Sequence, residues 1–369
     1  MYICLNDLSE LYEAVESSPL NEDEYWLILI ADRHSDQLNE IVAHLSDNSV
    51  RFCGALFPGL VVDKRTFYQG AILRKITCKS PPVILPMPAS PEEAVKNLPL
   101  HTELDKEGET CLTFIDCLSE DIDVLLTSLY DRFSNHCSYF GAGAGRHDLA
   151  DCHCVFDGSG LYSKAALVAV INQPSQCHAR HGWSRHAGPI VASRTTNNIL
   201  HELDWEVAET AYRNTLPENL KNTPPELFYR DVTPRYPFAV EYPGSEDVVR
   251  DPISICANGD VAFLSDIPQG ALMYLVEGTP DSLINAAKEA VELSIQENTE
   301  SLLVCDCLSR TIALDSKFPA ELRAVYDEVN SVKDGITVEG VIALGEIASN
   351  GDQQVNFFNK TFGICCFNE

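Results

Sequence analysis

Trp26-Leu27-Ile28-Leu29-Ile30-Ala31 decides how the chain is read, because six apolar residues in a row make a strand-sized run that then gives way to a different period. From Ser35 onward, Leu38, Ile41, Val42 and Leu45 recur at i, i+3, i+4 and i+7, which predicts one buried face of an amphipathic helix. Apolar runs at 50–62 and 70–76 read as strands, so the segment runs β-α-β-β. Working outward, the same order returns with a strand at 111–115 and a helix face of Ile122, Leu125, Leu126, Leu129 and Phe133. Strands at 138–142 and 154–171 complete it. A third instance has a strand at 301–305 and a helix opened by Pro319 with Phe318, Leu322, Val325 and Val329 aligned. Strands at 338–348 and 355–367 follow.

Two other stretches share a hairpin followed by a helix. Residues 190–204 turn at Asn197-Asn198 and lead into a helix expected over 205–213. Asn258-Gly259 is a two-residue turn, 271–276 a strand, and Thr279-Pro280 caps a helix carrying Leu283, Ala287, Val291 and Ile295. Short turns between neighbouring strands favour antiparallel pairing over a doubly wound parallel sheet. The expected fold class is therefore α/β in the broad sense: an α+β chain of two related halves, with mixed, largely antiparallel sheets flanked by helices. Prolines dominate 79–109, read as a connector with at most a short helix. They also dominate 217–243, read as a linker between a first domain, 1–216, and a second, 244–369.

Composition narrows the function. Asp and Glu outnumber Lys and Arg 55 to 26, a net charge of −29 that repels phosphate backbones and anionic headgroups, so neither nucleic acid nor a membrane surface is an expected partner. The first twenty residues lack the apolar core of a signal peptide, and the longest apolar runs are strand-sized. A cytoplasmic protein is expected. Its fourteen cysteines then read as thiols, packed as small hydrophobes. Cys152/Cys154 and Cys305/Cys307 are spaced by two, which on a strand puts both sulfurs on one face and could also begin a metal site.

Six of the ten histidines lie between His147 and His201, and none follows His201. The densest segment is Cys177-His178-Ala179-Arg180-His181-Gly182-Trp183-Ser184-Arg185-His186. Neutral imidazole is an axial ligand for haem iron and arginine pairs with carboxylates such as propionates, so His178, Arg180, His181, Arg185 and His186 are candidate cofactor-binding residues, with His181 or His186 on the metal. The alternative is a wet polar loop offsetting nearby acids. Gly141-Ala142-Gly143-Ala144-Gly145 fits neither dinucleotide nor P-loop spacing; it reads as a tight strand connection whose glycines would let a flat ligand approach if a pocket lies there. Glu346, set among Ile342, Ala343, Leu344 and Ile347, is either exposed at a turn or buried with a partner such as Arg310 or Asn359.

Taken in order, these motifs resemble the FIST sensory family, which pairs an N-terminal and a C-terminal FIST domain. In the first half the resemblance rests on Phe52 to Gly59, Gly70-Ala71-Ile72-Leu73, the glycine run with Asp148, Val155-Phe156, His181-Gly182-Trp183 to Gly188-Pro189, Asn198, Glu202-Leu203-Asp204, Ala208 and Tyr212. In the second it rests on Arg250, Asn258-Gly259, Ile267 to Gly270, Cys307 to Arg310, Gly345-Glu346-Ile347 and Asn359-Lys360-Thr361. Leu56-Phe57-Pro58-Gly59 departs from the family's usual Ser/Thr-x-Gly-Glu turn and looks closer to the haem-binding, nitric-oxide-sensing NosP subgroup.

The resemblance implies a stand-alone, non-enzymatic sensor of a gas or small molecule that regulates a histidine kinase, a cyclic-di-GMP enzyme or another signalling protein of a two-component system. A homodimer is left open. A rival ligand is a small organic molecule such as an amino acid, anchored by Arg310, Glu346 and Asn359. A rival class is a thiol- or metal-dependent enzyme using Cys307 or the histidines.

Overall fold

The computed structural model describes residues 1–87, 90–96, 98, 108–242, 246–350 and 354–369. The first structural unit holds β1 (Tyr2–Ile3), α1 (Leu8–Glu16), β2 (Glu24–Ala31), α2 (Leu38–Asp47), β3 (Phe52–Phe57), β4 (Gly59–Val62), β5 (Arg65–Phe67) and β6 (Ala71–Thr77). The second repeats the order with β7 (Val83–Pro86), α3 (Pro91–Lys96), β8 (Glu109–Asp116), α4 (Ile122–Phe133), β9 (Cys137–Ala144), β10 (Val155–Asp157), β11 (Gly160–Tyr162) and β12 (Ala165–Ile171).

The third unit opens with β13 (Ser175–Arg180) and is then interrupted by β14 (Ser184–Thr196), β15 (Ile199–Leu203), β16 (Glu206–Val207), α5 (Ala208–Thr215), α6 (Pro225–Asp231), β17 (Phe238–Val240), β18 (Val248–Arg250), β19 (Pro252–Ile255), β20 (Val261–Phe263) and β21 (Leu272–Glu277). It resumes with α7 (Pro280–Ser294), β22 (Thr299–Cys307), α8 (Leu308–Leu314), α9 (Phe318–Val332), β23 (Val338–Ala343), β24 (Glu346–Ala348), β25 (Asn356–Phe358) and β26 (Phe362–Asn368).

The three units build sheets of one order: β1-β6-β2-β3-β10-β11, β7-β12-β8-β9-β24-β25 and β13-β26-β22-β23-β4-β5. In each, the second and third strands of the β-α-β unit run parallel and the last strand returns antiparallel beside the first of that pair. Each unit then lends its hairpin to a neighbour, unit one to three, three to two, and two to one. The ring therefore closes on itself with threefold pseudosymmetry.

Glycine marks the repeat. Gly54, Gly141 and Gly340 pair with Ile28, Thr113 and Val304, and a Cβ on any of them would lie 2.0, 1.8 or 1.9 Å from that partner's carbonyl oxygen. Only glycine lets the two parallel strands approach so closely.

The inner faces of the three sheets meet in one apolar core, with Leu29 and Ala55 from unit one, Leu112, Phe114 and Phe140 from unit two, and Leu303, Cys305 and Val341 from unit three. Helices cover the outer faces, α4 over Cys111, Ile115 and Val168, and α7 and α9 over Leu302, Val304 and Ile364. The inserted strands form a fourth sheet with its own core under α5 and α6.

The α+β reading and the three β-α-β-β segments are thus observed. Three details differ. The apolar run at 50–62 is two strands in different sheets, broken at Pro58, and 154–171 holds three strands. The helix expected from Trp205 begins at Ala208, after β16. The segment 217–243 carries α6 and β17, because Phe228 and Phe238, set between its prolines, are fully buried in the fourth core. Of the prolines used to read the connectors, Pro88, Pro99 and Pro243 lie outside the described residues. No helix among the described residues is long and apolar enough to cross a membrane.

Candidate ligand cavity at the strand ends

The histidine-rich segment does not close around one hollow. His178, on β13, has Nδ1 3.0 Å from Ser294 Oγ of α7, and burial together with Arg180 lowers its pKa to about 4. His181 is buried, and its Nδ1 accepts the Trp183 N–H at 2.8 Å. In the neutral ring that bond leaves the proton on Nε2, which faces Glu246 Oε1 at 3.2 Å without hydrogen-bond alignment. Burial first, then Arg310, lowers its pKa to about 4. An iron ligand at Nε2 would require the other tautomer and loss of the Trp183 bond.

His186 is elsewhere again, 3.5 Å from Glu277 and edge-on to Tyr236; with Arg185 it borders a shallow depression that neither His178 nor His181 lines. Both arginines are engaged. Arg180 meets Glu289 at 3.3 Å and Glu246 at 3.5 Å, and Arg185 grips Asp247 at 2.7 and 2.6 Å while lying over Tyr274. Among the described residues no group of three or more His, Cys, Asp and Glu is arranged to hold a metal ion.

Arg310, Glu346 and Asn359 are also partly separated, although all three have zero exposure. Arg310 donates to Glu321 at 2.7 Å and to the carbonyls of His181 and Leu283 at 2.6 and 2.5 Å, so its carboxylate partner is Glu321 and not Glu346. Glu346 accepts the Thr361 N–H at 3.2 Å through Oε2 while Oε1 has no hydrogen-bond partner, and Asn359 Oδ1 accepts from Ser265. Burial, then the neighbouring Asp306, pushes the Glu346 carboxyl well above its ordinary pKa, so it is held neutral. These groups form a sealed polar core.

A cavity of about 490 Å³ does open where the parallel strands end, within the roughly 300–1,000 Å³ of small-molecule pockets. Its walls are Asp32, Arg33, Ser35 and Asp36 after β2, Pro58 after β3, Tyr68, Arg146 and His147 after β9, and Leu308 after β22. All three units contribute, and strand carboxyl ends are the usual ligand end of α/β sheets.

The glycine run explains why these loops meet. The Gly143 N–H bonds to Gly345 O, Leu344 N–H to Gly143 O, and Gly145 N–H to Leu56 O, stitching units one, two and three together at one level. The glycines therefore contact neighbouring backbone, and the residues just beyond them face the cavity.

The buried Asp32 holds His147 twice, with Oδ2 2.8 Å from the backbone N and 2.6 Å from Nδ1. Arg146 forks onto Asp148 with two 3.0 Å bonds and reaches Ser35 Oγ at 3.1 Å. Arg33 is exposed and makes no ion pair or hydrogen bond among the described residues, and Tyr68 is 54 % exposed. The sequence carried one sign of this site, Arg146-His147-Asp148 directly after the glycine run, whereas Arg33 and Tyr68 carry no local signal.

Against known proteins, no curated protein matches the chain. The FIST N domain model matches residues 26–206 and the FIST C domain model residues 208–349. The boundary between them falls inside the inserted sheet, at β16. The chain belongs to the FIST family of sensory signal-transduction domains.

Proposed function

We propose that this FIST protein is a ligand-responsive signalling module, without a catalytic role, whose ligand is a small organic anion held in the strand-end cavity. Its occupied state would be read by a separate partner such as a histidine kinase or a cyclic-di-GMP enzyme. The observation that carries this reading is Arg33, a guanidinium on the cavity wall with no partner among the described residues in a chain of net charge −29. A cation left unneutralised in so acidic a protein is a focus for an anion, and its planar fork suits a carboxylate or phosphate.

Arg146 and His147 add donors from the facing loop, Tyr68 adds an aromatic face, and Pro58 and Leu308 add apolar contact. A ligand that touches Arg33 and Arg146 together ties unit one to unit two, which supplies the differential contact a population shift needs. The reading sets the protein in the cytoplasm, where reducing poise suits fourteen unpaired cysteines.

A second reading keeps haem and moves its ligand from His181 or His186 to His147. Asp32 on Nδ1 leaves His147 Nε2 without a partner among the described residues, as in a carboxylate-oriented metal-binding imidazole. Arg33 and Arg146 suit the propionates, and bound haem would supply an iron that takes a diatomic gas such as nitric oxide. One experiment addresses both readings: thermal shift against a panel of small carboxylates and phosphates, and haem titration followed at the Soret band, in wild type, Arg33→Ala, His147→Ala and His186→Ala. The anion reading expects a shift that Arg33→Ala abolishes. The haem reading expects a band that His147→Ala removes and His186→Ala keeps. Neither a shift nor a band in wild type sinks both.

A further inference from the structure

The loop that brings Arg146 and His147 to the cavity is clamped at both ends on one residue. Gly145 N–H donates to Leu56 O at 2.9 Å, and Leu56 N–H donates to Cys154 O at 2.8 Å. Between these clamps the chain runs out through His147 and Asp148 and back through Cys152, which is half-buried, to Cys154, which has zero exposure. Cys117 closes the base of the loop, its Sγ 3.4 Å from where a Cβ on Gly145 would stand.

Of the fourteen free thiols, only Cys4, Cys152 and Cys256 are not buried. Of these three, Cys152 alone has a second cysteine two residues along the chain, the buried Cys154. We propose that Cys152 and Cys154 are a peroxide-sensitive dithiol, and that closing their disulfide reshapes loop 146–153 and so alters ligand capture by Arg146 and His147.

The chemistry balances with a peroxide as oxidant. The Cys152 thiolate attacks the O–O bond, gains one oxygen as sulfenic acid and releases hydroxide, which takes up the thiol proton as water. The Cys154 sulfur then attacks Cys152 Sγ, the S–S bond forms, and the hydroxyl leaves as a second water with the Cys154 proton. Two thiols are oxidised by two electrons and one peroxide is reduced.

The environment favours this division of roles. The hydrogen bond from Cys154, helped by the charge of Arg146, draws the Cys152 thiol below its ordinary pKa against the opposing effects of burial and Asp116, while the same bond and burial push Cys154 well up. The more ionised, more accessible sulfur is the attacking one and the buried neutral thiol is the resolving one.

Geometry makes the closure consequential. Two residues of chain span at most about 7 Å and a disulfide holds its Cα atoms roughly 4.4–6.8 Å apart, so closure pins the 152–154 segment in one local shape. Cys154 is tied to Leu56 through its carbonyl, so the displacement falls on the other side, on residues 146–152. This regulatory half rests on the cavity reading; the disulfide itself does not.

The test treats the full-length reduced protein with hydrogen peroxide, alkylates what remains and maps peptides by mass. It then compares backbone deuterium exchange in 146–151 and binding of 8-anilinonaphthalene-1-sulfonate, an aromatic anion, before and after oxidation. The expected result is a Cys152–Cys154 link formed ahead of any change at the exposed Cys256, a change of several-fold in exchange across 146–151, and altered probe affinity. Cys154→Ser should arrest the reaction at a Cys152 sulfenic acid trapped by dimedone, and Cys152→Ser should remove all three effects. A Cys152 that oxidises no faster than Cys256, or links to Cys117, overturns the dithiol. A mapped Cys152–Cys154 link with unchanged loop exchange overturns the switch. Changed exchange with no probe binding that depends on Arg33 leaves the dithiol standing and fails the cavity reading alone.

Discussion

The strand ends of units one and three occupy equivalent places in the ring and treat charge in opposite ways. Counting six residues on from the glycine-paired positions Ile28, Thr113 and Val304 reaches His34 in unit one, Ser119 in unit two and Arg310 in unit three. His34 caps its own loop, accepting the Gly70 N–H at 2.8 Å and meeting Gln37 at 2.6 Å, and beside it Arg33 stands in solvent over the cavity. Arg310 instead turns inward, bonds Glu321 and three carbonyls, and lies beside Asp306 at 3.8 Å with both side chains at zero exposure.

A second equivalent trio agrees. Leu60, Val155 and Glu346 each pair with the residue after the marker glycine, and only unit three places a carboxyl there. One topology thus yields an open, charged mouth and a sealed polar plug. The difference argues that charge at unit three holds the ring and the inserted sheet together, while charge at unit one is free to meet a ligand.

The strongest way to break this contrast is Arg310→Ala. Removing the guanidinium strands Glu321 in a dry core and takes a donor from three carbonyls, so a loss of about 3–5 kcal/mol is expected, read as a fall in the urea midpoint. A variant that unfolds within about 1 kcal/mol of wild type would show that the plug is solvated and that the two mouths are not opposites. Next in size is Gly141→Ala, which tests whether the three strand pairs are equivalent at all. A Cβ 1.8 Å from Thr113 O must push β8 and β9 apart, at about 1–3 kcal/mol or more, and Gly54→Ala and Gly340→Ala should cost alike. Unequal losses by calorimetry, with one glycine tolerant, would mean that the alignment of units fails at that strand.

How much of this could be read from the residues depends on distance along the chain. The apolar run 26–31, the helix face of Leu38, Ile41, Val42 and Leu45, and the capped helix at Thr279-Pro280 are decided by neighbours, and each forms where expected, down to a capping box between Thr279 and Ser282. The exchange of hairpins is not local. Val61 pairs with Gly340 across most of the sequence, and nothing in residues 50–62 says that Pro58 hands the strand to another sheet.

The dispersal of the histidine segment has a related cause. Histidine density points to 178–186, yet those rings meet Ser294, Trp183 and Glu277, and two of these partners lie far along the chain. The cavity takes four residues from the turn after β2 and one or two from each of several others, with no residue type dense enough to stand out. For Glu346 the residues alone do not choose between a turn and the core, since Gly345-Glu346-Ile347 serves both.

The finest test of the plug uses pH. Because burial raises the Glu346 carboxyl in the folded state, folding retains a proton that the unfolded chain releases above its ordinary value of about 4.3. The folded state then binds more protons than the unfolded one, so the contribution of this group to stability is complete below that value and is lost as pH rises toward the folded pKa. Asp306, buried beside it, acts in the same sense. Glu346→Gln keeps the shape and the Thr361 bond while removing the titration. It should change stability by less than about 1 kcal/mol near pH 5 and flatten the decline from pH 5 to 8. The same decline in wild type and variant, measured by urea unfolding across that range, would place an ionised carboxylate in the plug, erasing the distinction between a sealed unit three and an open unit one.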